Sequence, residues 1–242
     1  MDLGEEMLIS GAEVYRVEDC IRRICLSYGA VRAEAFVLTS TIVATLEQPD
    51  GQYQTQSRRV ERAATDLDRV DQLNQLSREM CRDRLGYDAC KTRFRKILAR
   101  KRYSHCIEAL VYIAIAASFT VFFGGTWLDA AVAGLIGLVV KGVVWITGHA
   151  STNKVLANLT ASFVLSCLAF LAVRYGLGHS ADLIIIGNIM VLIPGIGLTN
   201  SVRDMISGDT VTGLIRFSEA CMLALAIAGG YILAGTLMGG II

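Results

Sequence analysis

The sequence contains little charge, and more than half of the chain contains almost none. Of its 242 residues, 19% are charged and 53% are hydrophobic, whereas soluble domains usually carry about 25% charged residues. Residues 1–105 hold 18 of the 23 Lys/Arg and 16 of the 22 Asp/Glu. This asymmetry excludes a uniform globular domain and an intrinsically disordered chain. It predicts a charged domain over residues 1–105 and an apolar membrane domain over residues 106–242.

Metal-binding and catalytic patterns are also missing. The seven cysteines include no C-x-x-C pair, which argues against a disulfide framework or a zinc site. Residues 1–105 contain a single histidine, His105, and no G-x-S-x-G, H-E-x-x-H or glycine-rich phosphate loop. We therefore predict neither an enzyme nor a bound metal or cofactor. Four acids of this half are interpreted as solvated surface side chains: Glu13, Glu18, Asp19 and Glu34.

The charged half predicts a small α+β domain. Apolar side chains in residues 5–28 recur at spacings of three and four, as in an amphipathic helix. Residues 35–47 are rich in β-branched side chains, which favour a strand, and Asp50-Gly51 is a strong hairpin signal. The predicted elements are, in order, a helix over 5–28 ended by Gly29, a strand over 35–47, a turn at Asp50-Gly51, a returning strand over 52–58 and a helix over 59–86.

A basic run connects the two halves. Residues 91–102 contain seven Lys/Arg and no acid, and an apolar stretch begins at Ile107. Lys and Arg accumulate on the cytoplasmic side of membrane helices, where each one near an anionic leaflet contributes about 1 kcal/mol. We interpret the run as a juxtamembrane helix that contacts membrane lipids and keeps the N-terminal domain in the cytoplasm. No second basic stretch accompanies it, so a nucleic-acid partner is not predicted.

The apolar half contains five segments of spanning length, since about 17–25 residues cross a ~30 Å hydrocarbon core. They predict a polytopic α-helical membrane protein with about five transmembrane helices and a small N-terminal α+β cytoplasmic domain. Five spans are few to enclose a solute path, so an oligomer is expected. The segments are 108–124, 126–148, 155–175, 182–198 and 211–237.

Several side chains within these segments are unusual for a simple membrane anchor. Lys141 lies inside the second segment, and a charge at the bilayer centre costs roughly 2.5–3.5 kcal/mol. It is expected to face a cavity or a partner, or to extend to the cytoplasmic interface. Asn188 is a buried amide that needs partners, whereas Asp129 is interpreted as interfacial. Gly134 and Gly137 predict close packing between helices.

The densest polar signal follows a predicted helix break. Pro194 lacks a backbone donor and Gly195 loosens the same turn, so the fourth span should kink or break at membrane depth. Irregular backbone at that depth is tolerated only against protein or a water-filled cavity. A break beside charged groups favours a solute pathway; a packing kink and an intrahelical Arg216–Glu219 ion pair are the alternatives. The polar residues beyond the break are Asn200, Arg203, Asp204, Asp209, Arg216 and Glu219.

The same region carries a family resemblance. The matching residues are Ile193-Pro194-Gly195 in a late apolar span, then Leu198, Asn200, Asp204, Gly208, Gly213, Arg216, Glu219 and Ala220. The charged half contains further matching residues, which are Gly11-Ala12, Thr39-Ser40 and Asp66-Leu67-x-x-Val70. On these residues the sequence resembles the threonine/serine exporter family over most of its length.

The resemblance implies a multi-pass exporter of the plasma or inner membrane. Single-chain members are about twice this length, so the chain resembles the larger subunit of a split, two-component form. That form implies a second, small subunit with about four spans. The implied cargo is a small polar metabolite, either threonine and serine or a dicarboxylate such as succinate, in exchange for protons.

The resemblance also implies site residues, to which the charge pattern adds others. Arg216 is the candidate for a substrate carboxylate, and Asp204 or Glu219 for an ammonium or a coupling proton. By resemblance, the pathway or gate positions are Pro194, Gly195, Asn200, Asp204, Gly208 and Arg216. By their own polarity we add Lys141, Asn188, Arg203, Asp209 and Glu219.

Two other classes of function compete with export. A membrane-anchored enzyme or sensor would use a pocket with converging titratable groups in residues 1–105. A structural membrane subunit would have a purely mechanical break at Pro194 and charges that all lie at the interface.

Overall fold

The computed structural model describes residues 1–61, 64–100, 103–149 and 153–238. The chain divides into two compact units. The first unit consists of Met1–Lys101 and Gly197–Phe217, and the second of Arg102–Ile196 and Ser218–Ile242. The stretch 197–217, which the sequence assigned to the membrane domain, therefore packs with the N-terminal residues.

The first unit begins with two helices where the sequence predicted one. Helix α1 covers Asp2–Ile9 and α2 covers Val14–Ser27. The helix is interrupted at Gly11, whose φ of +92° is a backbone conformation that residues with a side chain rarely adopt. The single helix over 5–28 was wrong because the three-and-four apolar spacing continues across this break.

A three-stranded antiparallel sheet follows, in the order β1-β2-β3. The predicted strand over 35–47 is in fact two strands, because Thr39 and Ser40 form a turn. The hairpin at Asp50-Gly51 and the returning strand are confirmed. The strands are β1 (Arg32–Leu38), β2 (Thr41–Glu47) and β3 (Tyr53–Arg59).

Two further helices complete the N-terminal part of the first unit. Helix α3 covers Leu67–Asp83, so the predicted helix over 59–86 begins too early; residues 62 and 63 lie outside the described part of the chain. Asp66 fixes the start of α3, because its carboxylate accepts a hydrogen bond from the Arg69 N–H at 3.0 Å. Helix α4 covers Tyr87–Leu98 and carries most of the basic run. The core of the unit contains large aliphatic side chains, including Met7, Val14, Val17, Ile42 and Leu73.

Within its described residues, the second unit consists of helices joined by short turns. Among the described residues, four helices are long and apolar enough to cross a membrane, and one bent pair would make a fifth span. This agrees with a polytopic membrane protein. The four helices are α5 (His105–Phe122), α6 (Trp127–His149), α7 (Lys154–Arg174) and α10 (Thr210–Met238), and the bent pair is α8 (Ala181–Leu192) with α9 (Gly195–Ile206).

The predicted break at Pro194 is confirmed. Helix α8 ends at Leu192, Ile193 is extended, and the helix axis turns by 56° before α9 continues. The residue before a proline is pushed away from helical geometry, which accounts for the extended Ile193. With 12 residues, α8 is only about 18 Å long and is too short to cross a bilayer by itself.

Small residues allow the helices of the second unit to approach closely. A Cβ atom on Gly137 would lie 3.0 Å from the Tyr112 carbonyl oxygen, and one on Gly134 would lie 3.1 Å from Ile113. The packing that was predicted from these glycines is therefore confirmed between α6 and α5. The buried core of this unit is correspondingly rich in alanine: Ala116, Ala133, Ala161 and Ala169.

Candidate functional site

A tight hairpin between α9 and α10 builds the candidate site in the first unit. Its turn contains Gly208, whose φ of +99° requires a glycine-like conformation. Beyond the turn, a Cβ on Gly213 would lie 2.7 Å from the Ser201 carbonyl oxygen and 2.9 Å from the Met205 nitrogen. The two helices are therefore in backbone contact, and α10 presents Arg216 to Asp204 of α9.

Arg216 and Asp204 form a buried ion pair. The Arg216 Nη1 donates to Asp204 Oδ2 at 2.9 Å, and its Nη2 donates to the Ala12 carbonyl oxygen at 3.1 Å. The Asp204 side chain is fully buried and that of Arg216 is 13% exposed. Asp204 Oδ1 makes no hydrogen bond within the described residues, although the Val14 N–H faces this carboxylate. The carboxylate thus has spare acceptor capacity at the start of α2.

The junction between α1 and α2 supplies the other side of the site. Glu13 pairs with Arg203 of α9 and with Arg16, and its side chain is only 7% exposed. Asn200 Nδ2 donates to the Gly11 carbonyl oxygen at 3.4 Å. We call the set formed by Glu13, Asn200, Arg203, Asp204 and Arg216 the polar cluster.

The sequence interpretation of two acids as solvated was wrong. Glu13 is buried in the polar cluster, and Glu18 Oε1 accepts a hydrogen bond from the Val37 N–H at 2.9 Å. Burial raises the pKa of the Glu18 carboxyl, with a further upward contribution from the negative charge of Asp209 and an opposing one from the Val37 hydrogen bond. Neither role could be identified from the sequence, since Arg203 lies 190 residues from Glu13 and Val37 lies 19 residues from Glu18.

The structure brings some of the predicted site residues together and leaves others apart. Asn200, Arg203, Asp204 and Arg216 meet in the polar cluster, with Gly208 in the hairpin turn and Asp209 directly before α10. Lys141, Asn188, Pro194, Gly195 and Glu219 belong to the second unit. Glu219 is exposed, and the ion pair of Arg216 is formed with Asp204, so the alternative of an intrahelical Arg216–Glu219 pair was wrong.

Lys141 has a partner inside the second unit. Its ammonium group is hydrogen-bonded to the Glu108 carboxylate of α5 and lies 5.4 Å from the centre of the Tyr112 ring. The Lys141 side chain is 18% exposed and that of Glu108 is 32% exposed. Of the alternatives for Lys141, the structure therefore favours a partner.

Two other polar groups in the second unit are fully buried. Asn188 Nδ2 donates to the Ile184 carbonyl oxygen at 3.0 Å, and its Oδ1 has no hydrogen-bond partner among the described residues. Asp129 is fully buried in the protein, and its side chain accepts from the Thr126 N–H and hydroxyl and from the N–H groups of His179 and Ser180. The Thr126-x-x-Asp129 spacing of a capping box is the sequence signal that would have identified this role.

Comparison with known proteins identifies the family. The family model described as "Putative threonine/serine exporter" matches residues 1–238. Two relatives, from Klebsiella aerogenes and Escherichia coli K12, are each named "Probable succinate transporter subunit YjjP" and are each 25% identical. The first match covers 96% of this chain and 90% of the relative, and the second covers 98% and 92%.

A third relative is much longer. The "Probable threonine/serine exporter" of Mycobacterium tuberculosis is 22% identical over 96% of this chain, which corresponds to 44% of that protein. No solved structure matches the chain. Because the family match extends over nearly the whole sequence, the chain belongs to the threonine/serine exporter family, a family of membrane exporters.

Proposed function

We propose that the chain is one subunit of a secondary-active exporter that moves a small polar metabolite out of the cell in exchange for protons. Its N-terminal residues lie in the cytoplasm and its apolar helices cross the plasma or inner membrane. The observation that carries this proposal is the buried Asp204–Arg216 pair, which joins α9, the second helix of the broken candidate span, to α10. Broken spans place helix ends and polar side chains where a solute can reach them.

The charge pattern of the polar cluster favours a zwitterionic substrate. Arg216 provides a guanidinium group for a carboxylate, and Asp204, whose Oδ1 makes no hydrogen bond among the described residues, provides an acceptor for an ammonium group. A dicarboxylate would require a second cation without a carboxylate partner, and the other arginine of the cluster, Arg203, is already paired with Glu13. An amino acid of the threonine or serine type therefore fits better than succinate.

Binding then proceeds by exchange of partners. The substrate carboxylate takes the place of Asp204 on Arg216, while the substrate ammonium group takes the place of Arg216 on Asp204. Since each buried charge keeps an opposite charge beside it, the exchange avoids the cost of an unpaired ion. Asn200 and the Glu13–Arg203 pair border the same site and anchor the α1–α2 junction to α9.

A second membrane subunit completes the transporter in this proposal. Two relatives are named as subunits, and the longer M. tuberculosis exporter contains a further stretch that is longer than this chain. We propose that this stretch corresponds to a separate small subunit of about four spans, and that the working state is an oligomer.

Efflux from vesicles that contain the chain and its small partner subunit tests the proposal. Arg216→Gln should lower L-threonine efflux by about 10–100-fold, because a charge-assisted hydrogen bond to a buried group contributes about 1.5–3 kcal/mol. Arg216→Lys should recover part of the rate, since it restores the charge without the planar fork.

The matched control is Arg174→Gln, which removes an exposed arginine at the end of α7. It should leave threonine efflux near the wild-type rate. The proposal fails if Arg216→Gln folds and exports threonine as fast as the control does. The choice of a zwitterion fails if succinate leaves the vesicles faster than threonine. An enzyme or a structural subunit would produce no efflux in any of these vesicles.

A further inference from the structure

The second unit contains a separate group of titratable side chains at the contact between α5 and α6. Glu108 lies one turn into α5 and is hydrogen-bonded to the Lys141 ammonium group of α6. His105, at the exposed start of α5, has its Nδ1 3.7 Å from the same Glu108 oxygen. Tyr112 lies one turn further along α5, under the Lys141 ammonium group. These four side chains form a line from an exposed helix end into the packed interface.

Glu108 differs from the other acids of the second unit. Asp129 is held by four neutral donors and is fully buried, whereas Asp182 and Glu219 are exposed. Among the described residues, the charged or titratable groups that act on Glu108 are Lys141 and His105, while Tyr112 in turn faces the Glu108–Lys141 pair. Glu108 is thus a half-shielded carboxylate with one oxygen that lies near both a cation and an exposed imidazole.

The contact between α5 and α6 does not depend on this ion pair. Gly134 and Gly137 already bring the two backbones together, with Gly137 set against the Tyr112 carbonyl and Ala116. A partly buried ion pair adds little net stability, because desolvation offsets most of its Coulomb attraction. The pair can therefore open and close while the two helices stay packed.

We infer that Glu108 carries the coupling proton of the exporter, an inference that rests on the proposed function. A proton that arrives through His105 binds the Glu108 carboxylate and converts it to the neutral acid. The ion pair with Lys141 then opens, and the ammonium group keeps the face of the Tyr112 ring as a cation–π partner. When the proton leaves, the carboxylate takes Lys141 back. No other group changes covalently, and one proton is bound and released per cycle.

Two measurements on the same vesicles, which contain the chain and its small partner subunit, test the inference. The first is the ratio of L-threonine efflux with an imposed proton gradient to efflux without one. The second is threonine counterflow at equal pH on both sides, which needs substrate exchange but no net proton movement. Glu108→Gln should reduce the ratio to about 1 while counterflow continues, because glutamine is similar in shape but cannot bind the proton. His105→Gln should slow the gradient-driven rate and retain a ratio above that of Glu108→Gln.

Asp182→Asn is the matched control, since it neutralises an exposed acid in the first turn of α8 and should leave both measurements unchanged. If Glu108→Gln is misfolded, the double variant Glu108→Gln with Lys141→Met removes both charges and gives the same prediction. The inference is overturned if a folded variant without this carboxylate still responds to the gradient as the wild type does. If the wild type itself shows no threonine counterflow, the proposed function is overturned instead.

Discussion

The two units each contain a fully buried aspartate, and the negative charge of each aspartate is compensated by a different kind of donor. In the first unit Asp204 is neutralised by the Arg216 side chain, and its other oxygen makes no hydrogen bond among the residues that the structure describes. In the second unit both oxygens of Asp129 accept hydrogen bonds, which come from the backbone of Thr126, His179 and Ser180 and from the Thr126 hydroxyl. A buried carboxylate needs either solution, because an isolated ion in a low-dielectric interior is very unfavourable.

The difference shows which of the two sites can exchange its partner. The donors to Asp129 are fixed at helix starts, so they cannot leave without unfolding the start of α6 or α8. The donor to Asp204 is a long side chain with several rotatable bonds, and the substrate binding that we propose requires it to be displaced. Full burial alone therefore does not indicate a binding site, and the proposal for Asp204 depends on the mobility of its cationic partner.

The largest expected effect comes from leaving Arg216 without its carboxylate. Asp204→Ala should lower the free energy of unfolding by about 3–5 kcal/mol, since it leaves a buried guanidinium uncompensated. Asp19→Ala breaks an exposed ion pair with Arg23 in the same unit and should cost less than about 1 kcal/mol. Denaturant unfolding of the detergent-solubilised chain measures both values.

A double variant sharpens this result. Asp204→Ala combined with Arg216→Met removes both charges and should recover most of the lost stability. Equal losses for Asp204→Ala and Asp19→Ala would contradict the ion pair described for the polar cluster.

The polar cluster also marks the limit of sequence reasoning. The break at Pro194 was predictable because proline acts on the backbone locally, and the apolar segments were predictable from their length. The burial of Glu13 was not, because its partner Arg203 lies 190 residues further along the chain. The break at Gly11 was missed because Leu8 and Ala12, four residues apart, keep helical spacing across it. Local pattern thus located the Arg216 side of the cluster and missed the α1–α2 junction.

The cores of the two units also differ, because the first contains large aliphatic side chains and the second is rich in alanine. A pair of adjacent glycines in α10 tests the close helix packing of the second core. A Cβ on Gly230 would clash with the backbone of α7 at the Leu159 carbonyl and at the Phe163 nitrogen, whereas one on Gly229 would meet only Leu159 Cδ1 at 4.0 Å. Gly230→Ala should therefore cost about 1–3 kcal/mol by overpacking. Gly229→Ala should be neutral or stabilising by up to about 1 kcal/mol, because alanine favours helix.

Thermal unfolding of the two variants in the same detergent gives the comparison directly. Both substitutions replace glycine with alanine in the same helix, so any difference in unfolding temperature arises from the contact with α7. If both variants unfold at the same temperature, the close backbone contact between α10 and α7 is not present in solution.

The smallest expected effect concerns Glu18, an intermediate case between the two buried aspartates. It accepts a hydrogen bond from the Val37 N–H, and no cation among the described residues forms an ion pair with it. Because burial raises the pKa of the folded Glu18 carboxyl, its contribution to stability is fully present below the unfolded pKa of about 4.3 and is lost as the pH rises through the folded value. Glu18→Gln keeps an oxygen for the Val37 N–H but never ionises.

Glu18→Gln should therefore unfold at a slightly higher denaturant concentration than the wild type at pH 7, and the advantage should vanish below about pH 4, where both side chains are neutral. The neighbouring Asp19→Asn should show the opposite sign at pH 7, because it loses an ion pair with Arg23. A loss of stability in Glu18→Gln at pH 7 would mean that the charged form is the better-compensated one. A single backbone N–H would then be enough to stabilise a half-buried carboxylate. The contrast between Asp129 and Asp204 would depend on how many donors each carboxylate has, and not on whether the donor is a neutral group or a charged side chain.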